Sequence, residues 1–393
     1  MIVSPPRQKT VAAGRASARP SDGFVQSRVV VSPRGVDRWL LGVSAALAGL
    51  GLVMVFDASF FLGADRFGNP YAMAIRQATF LGAAIGIAMV ASRLPVSRLR
   101  PLAYPALAAV LVLLAFVLVP GIGQVRGGAR RWLSLGPVTF EPSELLKPVF
   151  VLYLAHSLAR KRERIGSFAY GILPHLLVAL VPMALLMLQP DFGGTAVLVL
   201  LTGAMLFVAG ARPSHLLGLG GLAGSLGFAL VFFSEYRWQR VTGFLDPWAD
   251  PLGKGFQLVQ SFLAFGSGGV AGVGLGQSRQ KLFYLPEGHT DFIFALIGEE
   301  IGFLGGALVL LGFAILALRG FRLAVRAGDA FTSHLAFGLT FVVVMQAVLN
   351  IAVVMGCLPT KGMPLPLLSY GGSSLLTTVG MVGVLLGISR EVR

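Results

Sequence analysis

The chain has 393 residues, of which 55% are hydrophobic and only 12% charged, with a mean hydropathy of +0.79. A soluble domain carries about 25% charged residues, so this composition excludes an ordinary water-soluble fold. The net charge of +15 would suit nucleic acid, but no aromatic interleaving or nucleic-acid motif accompanies it, and no such partner is expected.

The first thirty-odd residues are rich in Ser, Pro, Ala and Arg and lack the apolar core and cleavage site of a signal peptide. They read as a disordered cytoplasmic tail over 1–36, followed by one membrane domain over 37–393. Within that domain, apolar runs of spanning length fall at about 39–56, 77–92, 102–119, 143–158, 170–188, 193–210, 216–233, 292–318, 332–355 and 371–389. The expected fold class is an all-α polytopic membrane protein with about ten transmembrane helices. The fourth run is marginal, because it opens inside Glu144-Leu-Leu-Lys147-Pro148 and must be buried in protein or wetted there.

Orientation follows from the short basic loops. With the N-terminus inside, Arg93, Arg98, Arg100, then Arg160, Lys161, Arg162 and Arg164, then Arg212, Arg319, Arg322, Arg326 and Arg390 are all cytoplasmic. This obeys the positive-inside rule, puts both termini in the cytoplasm and accounts for most of the net charge. The outer loops are mostly longer and carry both signs, above all 234–291, a large extracytoplasmic loop without a span-length apolar run. Its Trp, Phe, Leu and Pro content argues that it packs, and long loops are usually functional or disordered. Function is therefore expected on the outer face. No internal repeat is visible, and the matched Gly/Pro-broken spans of many secondary transporters are missing.

Arg130-Arg131-Trp132 and the later Phe140-Glu141-Pro142-Ser143-Glu144 combine cations, an aromatic and turn signals; Arg130, Arg131 and Lys147 could hold an anion such as pyrophosphate or snorkel to headgroups. In Gln189-Pro-Asp191-Phe-Gly-Gly-Thr195, Asp191 could bind sugar hydroxyls or simply cap the next helix. The stretch from Arg237 and Trp238 through Arg240 to Asp250 suits an interfacial helix or the lining of a half-lipid, half-polar substrate site, to which Gln257 adds a polar group. In Tyr284-Leu-Pro-Glu287-Gly-His289-Thr-Asp291, three ionisable groups stand at the mouth of the eighth run. Partial desolvation there raises a carboxylate toward the range useful to a general base, although a helix cap is the plainer reading. Glu299 and Glu300 are expected two turns into that span, as intramembrane acids with either a functional or a hydrogen-bonded structural role. Between the last two runs, Lys361 supplies charge, and Ser369, Gly371, Gly372 and Ser373 precede or open a helix whose N–H groups favour anions.

These segments resemble the SEDS family. The matching sequences are Phe244-Leu-Asp-Pro-Trp-Ala-Asp-Pro251, Gly-Leu-Gly-Gln-Ser278, Tyr284 through Phe294 and Pro-Leu-Leu-Ser-Tyr-Gly-Gly-Ser-Ser374, with Gln189–Gly193 and Arg131–Leu145 in agreement. The resemblance runs from about Trp39 to Arg390, and the wording is nearer the FtsW branch than the RodA branch. Gly288 stands where FtsW members often have Ala, and Phe283 where many have Glu, so no charge role carries over to 283.

The resemblance implies a peptidoglycan glycosyltransferase that polymerises lipid II at the outer face of the bacterial cytoplasmic membrane, at the division septum. The family's essential Asp matches Asp291, which makes it the expected general base. The leaving undecaprenyl pyrophosphate would be met by Arg240, Lys361, Arg130 and the Gly371–Ser373 helix start, with Gln257, Glu287, His289 and Ser369 as further substrate-binding candidates. Implied partners are a class B penicillin-binding protein and other divisome membrane proteins. The alternative is a lipid II flippase without bond chemistry, for which Glu299 and Glu300 are the best feature. The single Cys357 and five scattered histidines give no metal-ligand spacing, so no metal site and no required cofactor are expected. Asp246, Asp250 and Glu287 could hold a divalent ion loosely.

Overall fold

The computed structural model describes residues 35–392 except 127 and 137; the tail expected over 1–36 lies almost wholly outside the described residues. From there α1 (Arg38–Phe67) and α2 (Ala72–Ala91) form a hairpin, followed by α3 (Ala103–Leu118). The outer connection after α3 adds to the expected all-α bundle a three-stranded antiparallel sheet: β1 (Gly123–Arg126), β2 (Ala129–Leu135) and β3 (Val138–Phe140) in that order. Then come α4 (Pro142–Arg160), α5 (Leu173–Leu188), α6 (Phe192–Val208) and α7 (Pro213–Phe232).

Among the described residues, eight helices are long and apolar enough to cross a membrane. The other two expected crossings fall on α4, with Glu144 and Lys147 in its first turns, and α6, only 17 residues long. The difficulty at the start of α4 is met by burial in protein. Lys147 Nζ lies 2.7 Å from Glu144 Oε1 and donates to Gln346 Oε1 at 3.1 Å, all of them buried. An ion pair of this kind survives because each charge has a partner; either one alone would be costly.

One end of the bundle gathers the groups expected in the cytoplasm. Asp37 caps α1 and accepts from Arg319 Nε at 2.8 Å, while its own N–H donates to Ser389 Oγ at 3.1 Å. Glu391 accepts from the Val96 N–H at 2.9 Å, and Arg100 pairs with Asp329, the cap of the helix before the last connection. The first and last helices therefore have their chain ends on the same face.

The long outer segment is a folded cap. It holds α8 (Glu235–Leu245), α9 (Phe256–Gly268), a five-residue π turn over Gln280–Tyr284 and α10 (Ile293–Glu300). The span expected at 292–318 is two helices, α10 and α11 (Gly302–Arg326), broken at Gly302 with φ +73°. The break is pinned by the glycine-rich turn after α9: Val273 and Gly274 N–H donate to the carbonyls of Glu299 and Glu300 at 3.0 Å, and Phe303 N–H donates to Gly269 O at 2.9 Å. The 25 residues of α11 suffice to cross the bilayer alone. Glu299 and Glu300 thus stand before the span, at its outer boundary, not two turns inside it.

The chain ends with α12 (Ala330–Val354) and α13 (Gly372–Glu391). Both are largely buried, and the first connects to the second through residues 355–371, which fold back over the outer ends. At the opposite extreme, α7 has no buried residue.

Candidate active site

Three outer segments converge on Asp291. The first is 284–292, a tight coil in which Glu287 adopts φ +54° and its carbonyl accepts from the N–H groups of Thr290 at 3.1 Å and Asp291 at 3.0 Å. The second is the 355–371 connection. Asn350, one turn from the outer end of α12, ties the two together: its Nδ2 donates to Asp291 O at 2.8 Å and Met363 O at 2.7 Å. Gly362 lies against the carboxylate, since a β-carbon there would stand 3.0 Å from Asp291 Oδ2. Tyr370 N–H donates to His289 O at 3.0 Å, and their rings lie 5.7 Å apart. The third segment is the outer end of α5–α6 with β2. Asp191 caps α6 by accepting from Gly194 N–H at 3.0 Å, and Arg131 reaches Asp191 Oδ1 at 3.5 Å and Gln189 O at 3.4 Å.

Burial is the main cause that pushes the Asp291 carboxyl up to about 7, with the negative charge of Glu287 acting in the same direction. The cations Arg240 and Arg131 pull the other way. Glu141, at the start of α4, is raised further, to about 8, first by burial and then by Glu144 and Asp191. Burial lowers Lys361, against the attraction of Asp191. The outer surface therefore holds acids that take up protons near neutral pH beside positive charge that burial keeps strongly interacting.

Not every candidate belongs to this cluster. Arg240, on α8, donates to Thr360 O at 3.2 Å and is near enough to Asp291 to act on its charge. Arg130 instead donates to Leu118 O at 3.1 Å at the end of α3; its neighbour Arg131 faces the site as the extra residue of a β-bulge in β2, since β1 pairs Gln124 with Trp132 and Val125 with Arg130. Ser369 accepts from Leu365 N–H at 2.7 Å and closes its own loop. The α13 start is taken up by protein rather than open: Gly371 N–H donates to Gln77 at 3.4 Å, Gly372 lies on the Phe80 ring, and Ser373 Oγ accepts from Glu141 N–H at 3.0 Å. Gln257 is half-buried on the first turn of α9.

Glu299 and Glu300 form a separate buried cluster. Glu299 accepts from Arg279 N–H at 3.1 Å and from the Ser278 hydroxyl; Glu300 shares Lys281 Nζ, at 3.2 Å, with Asp57 of α1 at 2.7 Å. Asp246 and Asp250 cap turns by accepting from Ala249 N–H at 3.1 Å and Lys254 N–H at 3.0 Å. Among the described residues no group of three or more His, Cys, Asp or Glu is arranged to hold a metal ion. Glu141, Gln346 and Asn350 were not among the sequence candidates for the site proper, whereas Arg131 was offered there only beside Arg130 and Lys147 as a holder of an anion. The Glu-Pro-Ser-Glu segment carried a signal for Glu141, but nothing local marks Gln346 or Asn350 within an apolar span.

A bundle of apolar helices, capped at the end opposite the chain termini by a folded segment that holds an acid beside arginines, defines a polytopic membrane protein. The FtsW/RodA/SpoVE family model, described as "Cell cycle protein", matches residues 38–393. The chain belongs to this family, the SEDS proteins. It is 41% identical over 357 residues to the probable peptidoglycan glycosyltransferase FtsW of Geobacter sulfurreducens, covering 91% of this chain and 96% of that protein. Stage V sporulation protein E of Bacillus subtilis is 43% identical, with 91% and 98% covered. Among solved structures, the rod shape determining protein RodA of Thermus thermophilus superposes with a TM-score of 0.68 at 32% identity, covering 91% of this chain and 97% of that one. A chain from a peptidoglycan synthase complex that coordinates polymerization and crosslinking gives 0.75 at 34%, with 91% and 98% covered.

Proposed function

We propose that the chain is a peptidoglycan glycosyltransferase that polymerises lipid II at the outer face of the cytoplasmic membrane during septal wall synthesis, with Asp291 as general base. The observation that carries the reading is the Asp291 carboxyl, held against Gly362 beneath the outer connection and raised to about 7 between Glu287 and two arginines. The acceptor's sugar hydroxyl gives its proton to that carboxylate as its oxygen bonds to the donor's anomeric carbon. The bond from that carbon to the diphosphate oxygen breaks, and the electron pair leaves with undecaprenyl pyrophosphate. A single displacement inverts the α-linked donor to a β-linked glycan and needs no second nucleophilic carboxylate. Arg240, Arg131 and Lys361 are the cations that offset the departing charge; Arg131 replaces Arg130 in that role. No cofactor takes part in these steps.

The synthase-complex relative, in which polymerization is coordinated with crosslinking, supports a crosslinking partner; the partners proposed are a class B penicillin-binding protein and other divisome membrane proteins. Asp291→Asn preserves shape but removes the base, and should cut glycan polymerisation by about 10²–10⁴-fold with lipid II binding retained. Purified protein with its partner and lipid II in detergent provides the assay. A variant that still elongates at the wild-type rate overturns the assignment, and lipid movement across a sealed bilayer without polymer would instead identify a flippase.

A further inference from the structure

The cytoplasmic end of the bundle carries a cavity for which the outer-face chemistry has no use. It has a volume of about 450 Å³ and lies where the α4–α5 connection meets the start of α7, between Glu163, Arg164, Ser167, Phe168, Arg212 and His215. Arg212 lies over Gly166, its Nε 3.9 Å from where a β-carbon on that glycine would stand. Among the described residues neither Arg164 nor Arg212 pairs with a carboxylate, although Glu163 shares the wall. His215 packs edge-on to Phe168 with ring centroids 5.6 Å apart, and its Nδ1 is buried without a hydrogen-bond partner. The adjoining connection adds Arg160, Lys161 and Arg162, so cations outnumber the one acid.

Two guanidinium groups in one concavity suit the oxygens of a phosphate. What lies beneath the cavity narrows the source. No residue of α7 is buried, and Leu217, Leu226 and Phe228 are exposed along it; on α5, Leu177 and Leu180 are exposed as well. An apolar surface thus descends into the hydrocarbon from directly below the charged concavity. Basic pockets between spans on the cytoplasmic side are suited to anionic lipid headgroups.

We propose that this cavity binds the phosphate headgroup of an anionic phospholipid of the inner leaflet, gripped by Arg164 and Arg212, with its acyl chains along α5 and α7. The bound lipid would tether the inner end of α7, which has little packing of its own.

Native mass spectrometry of the detergent-purified full chain tests this, with phosphatidylglycerol, phosphatidylcholine and inorganic phosphate added in separate arms. Phosphatidylglycerol should bind in defined stoichiometry and phosphatidylcholine should not. Arg164→Ala/Arg212→Ala should weaken that binding about 30-fold, at roughly one factor of five per arginine. Arg212→Gln alone removes one charge at an exposed position and should weaken it about fivefold, which preserves the test if the double variant misfolds. Arg326→Ala removes an exposed inner-face charge outside the cavity and should leave binding unchanged. Unaltered binding in both cavity variants, an equal loss in Arg326→Ala, or displacement of the lipid by inorganic phosphate would each overturn the proposal.

Discussion

Asp291 must be ionised to accept a proton, yet burial and Glu287 favour its neutral form up to about 7. Polymerisation should therefore climb with pH through about 7 and level off above it, where an ordinary aspartate, at 3.8, would leave the profile flat. Arg240→Ala removes the larger of the two cationic influences, so the rising limb should move to higher pH; an initial-rate profile from pH 5.5 to 8.5 reads both. Stability follows the opposite sign. A carboxyl whose folded value lies above its unfolded one costs stability as pH rises from 3.8 to about 7, and the full penalty remains above that. Asp291→Asn should accordingly melt higher than the wild type at pH 8 and no differently at pH 4, as thermal unfolding in detergent would show.

At the scale of elements, the break between α10 and α11 decides where the site can stand. Gly302 takes φ +73°, and a β-carbon there would come within 2.3 Å of Gly272 N. Gly302→Ala combines left-handed strain of about 1–3 kcal/mol with a backbone clash, and should lower the melting temperature while loosening the cap that holds Asp291. The first turn of α4 gives a second case. Lys147→Met leaves Glu144 buried without its ammonium and should cost about 3–5 kcal/mol, whereas Lys147→Met/Glu144→Leu should recover most of that loss. Comparing the melting temperatures of the single and double variants separates the pair's own worth from the penalty of an orphaned charge.

For the molecule as a whole, the positive-inside reading predicts which side each connection faces. The single cysteine, Cys357, is exposed in the 355–371 connection that packs against Asp291. A membrane-impermeant maleimide should label it in intact spheroplasts, and labelling only after permeabilisation would reverse the orientation and remove Asp291 from the outer face.

Apolar run length and basic-loop asymmetry, both local properties, marked a polytopic helical membrane protein and set the expectation of ten crossings with function on the outer face, without reference to tertiary contacts. Motif wording likewise singled out Asp291, because a short segment at a span's mouth reads the same wherever the rest of the chain goes. Tertiary structure decided what depends on residues distant in sequence. It turned the 234–291 segment into a cap, broke the eighth run at Gly302, chose Arg131 over Arg130 by a bulge in β2, and brought Asn350 and Glu141 to the site. Burial depth and charge proximity set proton affinity, and neither is carried by any one stretch of sequence.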